Sequence, residues 1–533
     1  MKALEGIKRE DFHYWVYFGA LCLLVVSLPT SRFFISVALQ TLIYNWIIEG
    51  HFKEKWQRFS KNRAAVAFTL IYLSYMFSLL WSVDVKYAIQ NDLFHKSPTL
   101  FMPLILVTSP RLDARRLRIL LFLFIASVFS VTLIGLTVRL VQPSASFREA
   151  SPFMPGIYLG LMLVIAAFQL PMLVRQVSSN KKHFWISILV SLWFIFFLFY
   201  LRALSGIACS IAASFYLVIF FVKRLKSLPL KLLAALGFLL MLFLILKPLV
   251  SIHRQTHSET PCSLSRLEKY SEAGCVYTHD TTKVLRENGN LVYVNIAEKE
   301  LQAAWNERSQ LDFYDDDLKG WKINYTLYRY MASLGLKKDG AGLTQMDDSD
   351  IRAVERGITN FLNVDRPGFY IRIYEEFMGI YIYRASEFRD PTWGSFSKRV
   401  DLWRASLLAF TEKPLFGWGI GGILHATDYG FESYSSPLAG SNMKPHNQYM
   451  YFLLTQGLFG LGLFLFLFTY MVVKSGAWRI RMFRVFVIIV AVFCLANNPL
   501  EGQLGQNIFV FFTLFYCFFY KDLLEKNASA SSW

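Results

Sequence analysis

Charge is scarce in this chain, and acid is scarcer than base: 17% of its 533 residues are charged, with 38 Asp and Glu against 55 Lys and Arg. Set beside 54% hydrophobic and 17% aromatic residues, this excludes a single soluble core, because no one interior hides that much apolar surface from water. The sequence has no internal repeat and no low-complexity tract. It also lacks a zinc-protease motif: His253 and His257 stand one helical turn apart, without the glutamate that such a site needs as its base. The glycine-rich run Gly417-Trp418-Gly419-Ile420-Gly421-Gly422 has no βαβ unit around it, so it reads as a tight turn and not as a dinucleotide cradle.

What the chain does have is long apolar runs. A bilayer core of roughly 30 Å needs about 20 apolar residues per helix. Runs suited to spanning fall at about 13–30, 33–49, 64–82, 97–109, 117–137, 155–174, 185–201, 206–222, 232–250, 448–472, 485–498 and 507–520. The expected fold is an all-α polytopic membrane bundle of about twelve transmembrane helices. The fourth run is short, carries Pro98 and Pro103 and follows Asp92, His95 and Lys96, which predicts a broken or tilted helix. The first run is too long, and too closely followed by a second, for a cleaved signal peptide.

Basic residues set the expected orientation, since cytoplasmic loops hold the Lys and Arg. The connections at 50–63, 110–118, 175–182, 223–231 and 474–484 are basic and alternate along the chain, which puts both termini in the cytoplasm and segment 251–447 outside. That segment carries 23 Lys and Arg against 26 Asp and Glu, and the remainder 32 against 12. The overall +17 is therefore a topology signal and calls for no nucleic-acid partner. Cys22, Cys209, Cys494 and Cys517 lie in apolar runs, whereas Cys262 and Cys275 lie in the outer segment. On an oxidising side those two either close a short loop or are unrelated thiols.

The expected domains are transmembrane helices 1–9 over 1–250, a periplasmic domain over 251–447, helices 10–12 over 448–520 and a cytoplasmic tail over 521–533, with Asn527 to Trp533 expected to be disordered. The periplasmic insertion reads as α/β. Glu287-Asn288-Gly289-Asn290 is an Asn-Gly hairpin signal, 298–307, 322–334 and 349–362 look helical, and Tyr370 to Tyr383 is rich in aromatic and β-branched residues. Asp315-Asp316-Asp317 and Asp348-Ser349-Asp350 have the spacing of metal-using sugar-nucleotide transferases. They fall on the expected outer side, where nucleotide sugars are absent, and neither matches a calcium loop. Phe396, Val400, Trp403, Leu407 and Phe410 share one helical face near 396–412, ended by Pro414, as in a helix lying along a membrane surface with Arg399 and Arg404 at headgroup depth.

Three segments carry a resemblance. Arg399-Val400-Asp401-Leu402-Trp403, then Lys413-Pro414-Leu415-Phe416-Gly417-Trp418-Gly419-Ile420-Gly421, then the run from His446-Asn447-Gln448-Tyr449 to Gly460 resemble the O-antigen ligase family, which shares its core with the O-antigen polymerases. The expected topology, with a large outer loop before helix ten, extends the likeness over the chain. The resemblance implies an inverting, metal-independent glycosyltransferase without cofactor in the bacterial inner membrane. Its donor would be an undecaprenyl diphosphate-linked glycan and its acceptor lipid A-core. Family members also carry an arginine at the outer end of an earlier span, which Arg202 in Tyr200-Leu201-Arg202-Ala203-Leu204-Ser205-Gly206 matches, although Leu201 replaces the usual serine and the glycine is displaced.

Chemistry supports the same residues. A sugar on diphosphate has a good leaving group, so the site must neutralise phosphate charge and take a proton from the incoming hydroxyl. Arginine grips phosphate through a bidentate fork and stays charged, which suits Arg202 and Arg399. Histidine, with an unperturbed pKa of about 6.5, accepts a proton near neutrality, which suits His446, where the competing reading is a helix cap or a packed residue; His425 is a weaker candidate. Lys96 and Arg148 either help bind phosphate or are plain outer-loop charges, and both stay outside the core site. Two further functions stay open. A polymerase or protein O-oligosaccharyltransferase would use the same donor, and a polysaccharide transporter or flippase would have similar spans. Against the transporter, the two halves show no matching pair of interrupted helices.

Overall fold

In the computed structural model, residues 9–141, 150–258, 267–385 and 390–520 are described. Arg148, Cys262 and the C-terminal tail lie outside them. The chain forms two units, one of residues 1–231, 402–434 and 439–533 and the other of 232–401 and 435–438.

The first unit is a helical bundle. Every expected apolar run falls on a helix, but among the described residues seven helices are long and apolar enough to cross a membrane. An eighth is counted if Arg32–Glu49 and Phe52–Lys61, bent by 116° at their junction, form one broken span. The expected twelve is not reached because several helices are too short or too polar. Pro98–Thr108 has 11 residues, a rise of about 16 Å against the roughly 30 Å of a hydrocarbon core. It follows a π-helical turn at Ala88–Leu93, which is the break that Pro98 and the charges before it predict. Arg481–Ala496 has 16 residues, Gln503–Leu514 has 12, and Arg9–Ser27 opens on Arg9, Glu10 and Asp11.

Helices distant in sequence build the bundle interior. Arg63–Phe77 packs on both Pro98–Thr108 and Gln448–Ser475, and Leu204–Val222 on Gly156–Val177 and Arg481–Ala496. Large side chains such as Trp185, Leu189 and Phe196 remain exposed, a surface that lipid satisfies and water does not.

The second unit meets the α/β expectation only in its hairpin. Its sheet, among the described residues, is one two-stranded hairpin that pairs Arg286–Glu287 with Asn290–Leu291. Asn288 and Gly289 make the turn at φ 48° and 92°, the left-handed pair that an Asn-Gly hairpin requires. Its helices include Glu298–Arg308, Ile323–Leu334, Gly340–Thr344, Asp348–Glu355 and Gly368–Ala385, joined by turns and loops. Gly368–Ala385 covers the stretch whose aromatic and β-branched content suggests a strand. There Arg372 pairs with Glu375 and Glu376, three and four residues on, neighbours only on a helix. Asp347 caps Asp348–Glu355 in a reciprocal capping box with Asp350, and Asp317 accepts from Thr326 and two loop amides. Those acidic residues are thus engaged in local structure.

Candidate active site

The glycine-rich turn shows how the first unit is assembled around its motifs. Ser395–Glu412 ends before Pro414, and the next residues run against a break in Gln448–Ser475, where Gly457 has φ 64°. The break leaves helix amides without their usual partners, and the turn supplies them: Leu458 N donates to Pro414 O at 2.9 Å and Phe459 N to Leu415 O at 3.1 Å. In return Trp418 N donates to Leu454 O at 2.7 Å. A Cβ on Gly417 would stand 2.6 Å from Leu454 O, and one on Gly421 1.8 Å from Asp84 O. Glycine is needed there for backbone to lie on backbone. Ala409, Ile423, Ala426, Tyr451 and Leu454 form the core beneath this turn.

His446 stands at the entrance of Gln448–Ser475. Asn447 is the helix cap, accepting from Tyr449 N at 3.0 Å and Met450 N at 3.1 Å, so capping falls to Asn447 and not to the histidine. His446 has φ 50° and Arg202, in the turn after Lys181–Tyr200, has φ 53°. Non-glycine residues held in this region cost about 1 kcal/mol or more each and persist where the surroundings impose them.

The surroundings of His446 are a buried polar network. Two residues before it, Lys444 reaches Asp92 at 3.4 Å, and Tyr451 donates to the other Asp92 oxygen at 2.9 Å. Burial disfavours the Lys444 charge, but Asp92 and then Glu501 outweigh it and hold its pKa above the usual lysine value. Two residues after His446, Gln448 donates to Glu501 at 2.6 Å, accepts from Leu500 N at 3.0 Å, and donates its own amide to Asn497 O at 3.1 Å. Lys96 pairs with the same Glu501, with 0% and 2% of their side chains exposed, and lies over the rings of Tyr75 and Tyr451. Lys96 is therefore no outer-loop charge. In addition, Trp403 Nε1 donates to Pro445 O at 3.1 Å, which joins the first motif to the residue before His446.

Arg399 belongs to the second unit. It donates to Ser395 O at 3.3 Å, one turn back on its helix, beside Arg372 and Glu376. Burial lowers its pKa, Arg372 adds to that, and Glu376 opposes it. Glu376 also accepts from Phe396 N at 2.7 Å and pairs with Arg372, and Asp401 is bound by Tyr383 and Ser436. The apolar stripe of Ser395–Glu412 has Phe396 and Leu407 exposed, while Ser397, Asp401, Leu402, Ala405, Ser406 and Ala409 are buried. Arg202 and His446 lie in the first unit and Arg399 in the second.

Glu501 escapes sequence reasoning, while Asp92 and Gln448 are read there only as a charge before the fourth run and as part of a motif. The one signal for Glu501 is an acid between two apolar runs, next to Asn498 and Pro499.

Residues 367–465 match the family model described as O-antigen ligase. The match spans Arg399, the glycine-rich turn, His446 and the helix break. A search of curated proteins finds no match. The family match supports a membrane glycosyltransferase of the ligase and polymerase type in general, and the long apolar helices support a multi-pass membrane protein.

Proposed function

We propose that this protein moves a glycan from undecaprenyl diphosphate to lipid A-core at the periplasmic face of the bacterial inner membrane. The acceptor hydroxyl oxygen bonds to the anomeric carbon as the bond from that carbon to the diphosphate breaks, and configuration inverts. The hydroxyl proton passes to His446, and undecaprenyl diphosphate leaves with its charge held by Arg202 and Arg399. No metal takes part in this scheme, so a chelator leaves wild-type transfer unchanged.

The observation that carries the reading is the anchorage of His446. Lys444 on one side and Gln448 on the other bind buried carboxylates, and Trp403 grips the carbonyl in between. A base works only when held within hydrogen-bond reach of the proton that it takes.

Both termini are placed in the cytoplasm and segment 251–447 in the periplasm, with the shorter apolar helices completing a bundle of twelve. A periplasm-only reporter fused near residue 340 is expected to be active and one near residue 228 silent; the opposite result inverts the topology. The lipopolysaccharide of a deletion strain tests the acceptor. Loss of a ligase leaves lipid A-core bare while lipid-linked polymer accumulates, whereas core carrying one repeat unit identifies a polymerase.

A further inference from the structure

Beside the helix break, an apolar cavity of about 280 Å³ runs between Arg63–Phe77 and Gln448–Ser475, lined by residues that include Leu70, Leu73, Phe77, Leu463 and Leu467. Its polar lining is almost fully engaged. Ser74 donates to Ile71 O at 2.7 Å, Ser78 to Tyr75 O at 2.8 Å, and Trp81 Nε1 to Phe416 O at 2.9 Å. The exception is Gln456, only 3% exposed, whose amide Nε2 has no hydrogen-bond partner. An unmet buried donor costs about 1–3 kcal/mol, and bilayer hydrocarbon offers it no acceptor. Gly460, which also lines the cavity, leaves the room that the Gln456 side chain occupies.

A second cavity, of about 600 Å³, shares Phe77 and Trp81 with the first and is lined by Lys413 through Gly417. Lys413 is exposed there, its ammonium 4.2 Å from the Trp418 ring. The pair of cavities thus offers an apolar channel, one donor within it and one cation at its mouth.

We propose that this groove binds an anionic glycerophospholipid. An acyl chain lies along Leu70, Leu73, Leu463 and Leu467, its ester carbonyl accepts from Gln456 Nε2, and the phosphate meets Lys413. A polyprenyl chain has no carbonyl and leaves the Gln456 donor unmet, which favours an acyl lipid over the carrier of the glycan.

Native mass spectrometry of the full chain in detergent, with dioleoyl phosphatidylglycerol added, tests the assignment. Wild type is expected to retain one phosphatidylglycerol. Gln456→Leu is expected to weaken retention about tenfold, the order of one lost hydrogen bond to a buried donor. Lys413→Gln weakens it less, and Leu463→Trp, which fills the channel, abolishes it. Because Leu463→Trp leaves Gln456 in place, it decides the matter if Gln456→Leu does not fold. Equal retention by wild type and either channel variant overturns the proposal. So does displacement of phosphatidylglycerol by equimolar undecaprenyl diphosphate, which makes the groove a site for the carrier chain.

Discussion

Two buried glutamates, one in each unit, show how differently the same device is used. Glu287 accepts from Arg329 at 2.6 and 2.8 Å, from Asn360 at 2.8 Å and from the Tyr374 hydroxyl. Burial works against the Arg329 charge, yet Glu287 holds that guanidinium above its usual range. These partners secure one short hairpin to Ile323–Leu334, to Asn360 and to Gly368–Ala385, and a hairpin of this size does not stand alone in water. Glu501 is as deeply buried, but its two partners lead elsewhere. Lys96 ties it to the segment after the π-helical turn, and Gln448 ties it to the first residue of the helix that His446 precedes. A buried ion pair is weak evidence of net stability, since desolvation offsets most of its attraction. What each pair supplies is position: of a hairpin in one unit, and of a histidine in the other.

The comparison can be broken most directly at the carboxylates. Glu287→Gln and Glu501→Gln each leave a buried cation without its counter-charge and are expected to destabilise by about 3–5 kcal/mol, read from thermal unfolding in detergent. They should part in activity. Per folded molecule, Glu287→Gln is expected to transfer glycan at the wild-type rate, whereas Glu501→Gln loses rate and shifts the pH–rate profile with little change in donor KM. Identical rates per folded molecule would make Glu501 a second Glu287, concerned with folding alone.

His446→Ala sharpens the same contrast from the side of the chemistry. It is expected to cut transfer by about a hundredfold or more, about 2.7 kcal/mol of barrier, with an unchanged elution profile and with binding of undecaprenyl diphosphate glycan retained. Near-wild-type transfer by this variant would remove the reason for anchoring the residue at all.

Arg399→Ala and Arg202→Ala are expected to cost roughly tenfold in transfer, the order of a lost charge-assisted phosphate contact. Arg254→Ala is expected to change it little. Lysine at either position restores activity in part, lacking the bidentate fork; full activity of a well-folded Arg399→Ala protein would leave that arginine a lipid-anchoring role. The smallest effect is expected at the cap. Asn447→Ala removes two hydrogen bonds to helix amides and should cost about 1 kcal/mol of stability, with a loss of rate smaller than that of Glu501→Gln.

Much of this was legible along the chain, because local rules govern it. The apolar runs are helices, Asn288-Gly289 is a hairpin turn, and Pro414 follows a helix end. The motifs around Arg399 and His446 fall within the segment that the family model matches. Composition and length part in two places: Pro98–Thr108 is apolar but has only 11 residues, and Gly368–Ala385 is rich in strand-forming residues yet helical, with Arg372 and Glu376 paired four residues apart.

By itself, then, the sequence determined the membrane class, the helices and the turns, and it nominated the residues proposed for phosphate and proton, since each depends on neighbours a few positions away. Tertiary structure alone decided what holds them. Lys96 and Glu501 stand 405 positions apart, and nothing in the periodicity of either segment announces a partner. The glycines between Gly417 and Gly421 read as a loop until Gly457 opens the facing helix and the two backbones exchange hydrogen bonds. Burial turns a surface charge into an anchor or a flexible turn into a plug, and burial is a property of the assembled chain.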